Sequence, residues 1–247
     1  FPICEGSLDT LHEARGGSRR TTTVTGPHGR AVDAEWLVLP DGTAIIEMAR
    51  ASGRALATGR SDPLGATTRG TGELIAAARA GGVRRVVVCV GGSATTDGGL
   101  GAVEALGWSL RGLEVTIACD VSTTFVDAAR VFAPQKGASP AQVDLLTRRL
   151  ASLVDSYRER CGVDVGELEG AGAAGGLAGG LAALGARLEP GFEVIARVTG
   201  LDRALEEADL VVTGEGRLDA TSFLGKVTGG VLEWSVEEGV SHRAVIA

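Results

Sequence analysis

The chain has 247 residues and a formal net charge of −7, with 44% apolar, 22% charged and 4% aromatic residues and 38 glycines. That length and apolar content allow one large or two small α/β domains with a sizeable core, and exclude wholesale disorder. The glycines follow no Gly-X-Y period, which excludes collagen, and the acidic balance argues against a chain that coats nucleic acid or anionic lipid.

In chain order, the sequence opens on Phe1-Pro2-Ile3, with neither an initiator methionine nor a signal-peptide pattern, so an incomplete N-terminus is expected. Residues 21–25, 34–39 and 44–48 read as short strands, and Pro40-Asp41-Gly42 as the hairpin turn between the last two. An alanine-rich helix is expected over 71–80, stopped by Gly81-Gly82. Residues 84–90 form an apolar run expected to be a buried strand, followed by a helix over 98–106 and a strand over 113–119 that ends at Asp120. Ser139-Pro140 opens a long amphipathic helix reaching about Arg160, with Val143, Leu146, Leu150, Leu153 and Val154 on one face. A glycine and alanine tract over 167–180 leads into a helix near 177–184. A strand over 209–213, a helix over 228–238 and a strand over 243–247, cut off by the chain end, complete the set.

Strands followed by glycine loops and helices imply an open, mostly parallel sheet, and the hairpin segments before Thr71 add a second domain with a mixed sheet. No run of 18 apolar residues exists, so no transmembrane helix is expected. Cys4, Cys89, Cys119 and Cys161 share no CxxC spacing and read as reduced thiols of a cytoplasmic chain.

Four loops carry the chemistry. Gly91-Gly92-Ser93-Ala94-Thr95-Thr96-Asp97-Gly98-Gly99 follows a strand and precedes a helix, where backbone amides form an anion cradle; the alternative is a helix cap with permissive turns. Asp120 stands at the end of a strand, suited to Mg²⁺ or to taking a hydroxyl proton, or serving as a turn residue, and Phe132 to Ala138 supplies Gln135 and Lys136 downstream. Gly170 to Gly176 either packs a helix or lets amides, including those of Gly175 and Gly176, approach a ligand. Thr213-Gly214-Glu215-Gly216-Arg217-Leu218-Asp219 with Gly225-Lys226 offers Glu215 and Asp219 to a metal and Arg217 and Lys226 to phosphate, or surface salt bridges.

Lys136 and Lys226 are the only lysines among 24 basic residues, and both adjoin glycine. His12, His28 and His242 share no metal-ligand spacing, no GxSxG elbow occurs, and the 91–99 loop matches neither the phosphate-loop GxxxxGK[ST] nor the GxGxxG pattern. Amide cradles, carboxylates and two ammonium groups suit phosphoryl transfer, in which positioning and charge neutralisation dominate.

These loops, together with Ala118-Cys119-Asp120-Val121 and Pro134-Gln135-Lys136-Gly137, resemble the type I glycerate kinase (glycerate 2-kinase) family, with five motifs in family order. Weaker matches are Val24-Thr25-Gly26-Pro27, Glu47-Met48-Ala49 and Thr67 to Gly72. The family's opening Asp-Ser-Phe-Lys-Gly segment is absent, and Cys4-Glu5-Gly6-Ser7 stands where the family has Asp-Gly-Gly-Glu-Gly-Thr. The chain is also shorter than the family between Gly112 and Leu113 and after Val121, so missing segments are expected there and at both ends.

The resemblance implies two α/β domains: a flavodoxin-like one from residues 1–17 and 196–247, and a mixed-sheet one, residues 18–195, inserted in it. It implies transfer of the γ-phosphoryl group of Mg·ATP to D-glycerate, giving 2-phosphoglycerate and ADP. In that frame Asp120 or Asp97 orients the hydroxyl as a base, Glu215 and Asp219 hold Mg²⁺, and Lys136 and Lys226 meet phosphates. Gly91, Gly92, Ser93, Thr95, Thr96, Gly98, Gln135, Gly175, Gly176, Gly214, Gly216 and Arg217 bind substrate or nucleotide. Glycerate and ATP are the expected partners, with no nucleic acid and no membrane, and a homo-oligomer stays open. The competing readings are an NAD(P)-dependent oxidoreductase of a small hydroxy acid, which needs a ribose-binding acid about 20 residues after a GxGxxG loop, and a non-catalytic acid-binding module.

Overall fold

The computed structural model of the chain describes residues 6–57, 61–216 and 227–247. They fall into two units, Phe1–Glu189 and Pro190–Ala247.

In the first unit, α1 (Ser7–Arg15) buries Leu8 and Leu11, and the Leu8 N–H donates to Glu47 Oε1 at 3.0 Å. Strands β1 (Ser18–Thr25), β2 (Ala31–Val38) and β3 (Thr43–Glu47) run antiparallel to one another in turn. Between β2 and β3 the chain reverses at Pro40-Asp41-Gly42, where Gly42 N donates to Leu39 O at 2.9 Å and Asp41 Oδ1 accepts from Thr43 N at 2.9 Å. Strands β4 (Arg85–Cys89), β5 (Glu114–Ala118) and β6 (Arg187–Glu189) then pair in parallel, each beside its predecessor. The result is one mixed sheet in the order β1-β2-β3-β4-β5-β6. All five residues of β3 are buried, the pattern of a central strand covered on both faces.

The crossovers carry α2 (Ala49–Ser52) and α3 (Arg69–Ala80) before β4, α4 (Leu100–Ala105) before β5, and α5 (Ala128–Phe132), α6 (Pro140–Cys161) and α7 (Leu177–Ala183) before β6. Helix α6 begins where the sequence places it. Ser139 Oγ accepts from Gln142 N (3.4 Å), Gln142 Oε1 accepts from Ser139 N (2.9 Å), and Pro140 takes the first turn. Its buried face is Leu146, Leu150, Val154 and Tyr157. They join Phe125, Ala129 and Val165 in one core cluster, while Ile46, Leu74, Val88, Ile117 and Leu181 belong to another built on the sheet. Each such fully buried aliphatic side chain contributes roughly 1.5–3 kcal/mol by burial.

The second unit contains α8 (Gly191–Thr199), α9 (Leu201–Glu206), β7 (Leu210–Gly214), α10 (Val227–Glu237) and β8 (His242–Ile246). Strands β7 and β8 pair in parallel, and Leu205, Val211 and Val240 form the unit's small core. Phe192 and Trp234 meet edge to face, ring centroids 5.5 Å apart.

The fold class is therefore α/β, with a six-stranded mixed sheet and a small parallel sheet. Helices α1, α2, α5, α8 and α9 and the three-residue β6 are additions to the elements expected from sequence. Among the described residues no helix is long and apolar enough to cross a membrane.

Candidate active site

Cys89 and Ala118 are register partners at the carboxyl ends of β4 and β5, so the loops that follow leave the same edge of the sheet. Open α/β sheets place ligands at that edge. A cavity of about 330 Å³ lies there. Val90 to Ser93 form one wall, Ala118 to Val121 another, and Phe132, Gln135 and Lys136 a third; Ala173, Ala174 and Arg54 close it.

The first loop owes its shape to hydrogen bonds with its surroundings. Gly92 O accepts from Arg54 N (2.9 Å), and Ala94 N donates to Ser52 O (3.0 Å). Ser93 Oγ accepts from Thr95 N (3.1 Å) and donates to Ala174 O (3.3 Å), and the Thr95 hydroxyl also reaches Ala174 O (3.4 Å). Tyr157 of α6 donates to Gly98 O at 2.8 Å. Ala174 itself is left-handed, at φ 53° and ψ 35°, a conformation costing a residue with a Cβ about 1–2 kcal/mol. Gly175 (φ 69°) follows, and a Cβ there would stand 2.0 Å from Thr95 O. Gly176 in turn faces Gly98, whose Cα would lie 2.7 Å from an added Cβ. Gly98, Gly175 and Gly176 thus let two backbones pack directly against each other and do not line the cavity.

Asp97 turns away from the cavity. Its Oδ2 accepts from Thr68 N and Thr68 Oγ1, both at 2.8 Å, and from Gly101 N at 3.3 Å, while Oδ1 accepts from Gly99 N at 3.2 Å. The carboxylate therefore ties the starts of α3 and α4 together. Burial raises its pKa, against the lowering effect of these four donors. Thr96 and Asp97 border a different cavity, of about 500 Å³, beside Arg148 and Arg149 of α6.

Asp120 is exposed, two residues beyond the end of β5, and lines the main cavity with Gly91, Gly92, Ser93, Gln135 and Lys136. Lys136 follows Pro134-Gln135 in a single 3₁₀ turn ended by Gly137 at φ 88°. Its Nζ donates to Thr95 O and lies 3.4 Å from Ser93 Oγ. Burial lowers the Lys136 pKa to about 7; Asp97 pulls it back up and the positive Arg54 pushes it further down. Lys136 also lines an adjoining cavity of about 400 Å³, which it shares with Arg54, Gln135 and His28. Arg54 and His28 were not singled out from the sequence. The only hint was their position, each next to a glycine turn whose folded neighbours lie far away in the chain.

In the second unit, Glu215 directly follows β7, its N–H donating to Ile246 O at 3.1 Å. Its Oε1 is buried with no hydrogen-bond partner among the described residues, and Gly214 and Gly216 flank it. An orphaned carboxylate oxygen fits a hard cation such as Mg²⁺, which takes one or two protein carboxylates and fills its other positions with water and phosphate. Among the described residues no cluster of three or more His, Cys, Asp or Glu side chains could hold a metal by itself. Arg217, Asp219 and Lys226 lie outside the described residues.

The chain matches the model of the glycerate kinase family over residues 4–112 and 108–247. It is 40% identical to glycerate 2-kinase of Escherichia coli K12 over 92% of this chain and 69% of that protein. It is 37% identical to glycerate kinase of Bacillus subtilis 168, again over 92% of this chain and 69% of the relative. A crystal structure from Salmonella typhimurium LT2, titled "putative glycerate kinase 2", superposes with a TM-score of 0.89 at 33% identity, covering 99% of this chain and 78% of that one. By sequence and by fold, the chain belongs to the glycerate kinase family.

Proposed function

We propose that the protein transfers the γ-phosphoryl group of ATP to the 2-hydroxyl of D-glycerate, releasing 2-phosphoglycerate and ADP. The observation that carries this reading is Lys136, a half-buried ammonium resting on neutral acceptors in a wall common to two cavities. Such a cation offers its charge to an incoming anion, and phosphoryl transfer consists largely of that neutralisation. The relatives named for glycerate kinase activity support the same acceptor.

In this mechanism the glycerate hydroxyl oxygen forms a bond to the γ-phosphorus as the bond to the β–γ bridging oxygen breaks. Lys136 meets the migrating group, and the amides of Gly91 and Gly92 face it from the loop after β4. Asp120 orients the hydroxyl and takes its proton, because it lines the main cavity, which Asp97 does not. Glu215, together with Asp219, would hold Mg²⁺, which when bound neutralises phosphate charge. Arg217 and Lys226 are assigned to phosphate on charge alone.

A coupled ADP-release assay across small hydroxy acids, with the product read by phosphorus NMR, tests the reading. The expected result is ADP release that requires D-glycerate and a divalent cation, with phosphate on the 2-oxygen. No ADP release with any hydroxy acid would overturn it.

A further inference from the structure

The cavity of about 400 Å³ beside the main one is bounded by His28, Arg54, Asp62, Ala94, Gln135 and Lys136, among others. Arg54, Gln135 and Lys136 line both, so the two hollows meet along one cationic wall. Three features of the smaller site look toward an anion.

The first is His28, in the turn between β1 and β2. Both its ring nitrogens are buried and neither has a hydrogen-bond partner among the described residues. A neutral imidazole carries one donor and one acceptor, and burying both unmet is costly unless something else satisfies them. The second is Arg54. Its main-chain N–H is hydrogen-bonded to Gly92 O, but its guanidinium forms no ion pair among the described residues, and it faces the like charge of Lys136. The third is the balance of charge. Among the described lining side chains Asp62 is the one carboxylate, against Arg54 and Lys136, and its Oδ1 accepts from Gly65 N at 3.0 Å within its own turn. In a chain of net charge −7, a hollow in which two basic side chains and an unmet imidazole meet a single carboxylate departs from the chain's overall balance.

We infer that this cavity seats the carboxylate of the phosphoryl acceptor, a short 2-hydroxy acid, with His28 and Arg54 as its specificity-determining contacts and Lys136 between acceptor and phosphate. A ring N–H of His28 would donate to one carboxylate oxygen, and the Arg54 fork would meet the anion's charge. The acceptor's hydroxyl would then point along the common wall toward the main cavity. The identity of the acceptor rests on the kinase reading above; the seat itself rests on these side chains.

The test is steady-state kinetics of the full chain carrying His28→Leu and, separately, Arg54→Gln. Leucine fills the imidazole volume without burying unmet nitrogens, so the fold should persist, as circular dichroism would verify; if it does not, Arg54→Gln carries the same test. Each variant should raise the KM for D-glycerate by about tenfold or more, with the KM for ATP and kcat changed less than about twofold. A rise in the KM for ATP instead, or an unchanged KM for D-glycerate, overturns the assignment. If the parent protein releases no ADP, the kinase reading fails by itself, and calorimetry with D-glycerate decides the seat independently. Binding by the parent that weakens in His28→Leu supports the seat; equal binding by both, or none by the parent, overturns it.

Discussion

Lys136 Nζ donates to the carbonyl oxygen of Thr95, and its other neighbour, Ser93 Oγ, lies 3.4 Å away. A half-buried ammonium held by neutral oxygens has given up part of its hydration, and the Asp97 carboxylate offsets that loss only in part. That is why its pKa falls from 10.5 to about 7.

The first consequence is proton uptake on ligand binding. Above pH 7 the free Lys136 is largely neutral, and an arriving phosphate raises its pKa again. ATP binding at pH 8 should therefore absorb a proton, and affinity should decline as the pH rises from 7. Calorimetry in buffers of different ionisation enthalpy reads the uptake directly; identical heats in all of them would remove Lys136 from the phosphate site.

Stability should respond in the opposite sense to activity. Between pH 7 and 10.5 the unfolded chain binds more protons than the folded one, so the contribution of Lys136 to stability grows as pH rises through that window. Lys136→Met removes the half-buried charge. Urea unfolding should show the variant more stable than the parent below pH 7, with the difference shrinking toward pH 10.5, while turnover drops by about 10²-fold or more.

Asp97→Asn should harm the fold. An amide group presents a donor where at least one of Gly99 N, Gly101 N and Thr68 already donates. A loss of about 2–3 kcal/mol is expected, seen as a lower melting temperature. A fully stable but inactive variant would point to proton transfer by Asp97 instead.

Asp120→Asn should do the reverse. The side chain is exposed at the cavity wall, so unfolding should shift by less than about 1 kcal/mol. Turnover with D-glycerate should fall by about 10²-fold to 10⁴-fold, the usual contribution of a general base.

Gly175→Ala tests the backbone contact between the loops. A methyl group 2.0 Å from Thr95 O, on a residue at φ 69°, forces the two segments apart. Thermal unfolding should reveal a loss of about 3 kcal/mol or more, accompanied by loss of activity because Ser93 and Thr95 shift with it.

Much of this site was legible in the sequence because strand, glycine loop and helix follow one another with little between them. The run before Gly91 and the Pro140 start of α6 fix where the loop and Lys136 fall along the chain. The direction of a carboxylate was not legible. Asp97 and Asp120 both follow strands, yet Thr68, 29 residues before Asp97, supplies two donors that turn only the former inward. His28 and Arg54 were invisible for a related reason: only the closing of the β1–β2 turn beside the Lys136 segment brings them to one hollow. Helix α1 escaped notice because it buries just Leu8 and Leu11, a single turn of pattern, and β6 because three residues carry no periodicity.

Strands β1 to β6 pair strictly in chain order. No late strand has to wedge between two earlier ones, so during synthesis each newly emerging strand finds the edge left by the previous one still open. The sheet can thus assemble progressively as the ribosome delivers it, and chains halted after β4 or β5 should already shield their β3 amides from exchange with deuterated solvent.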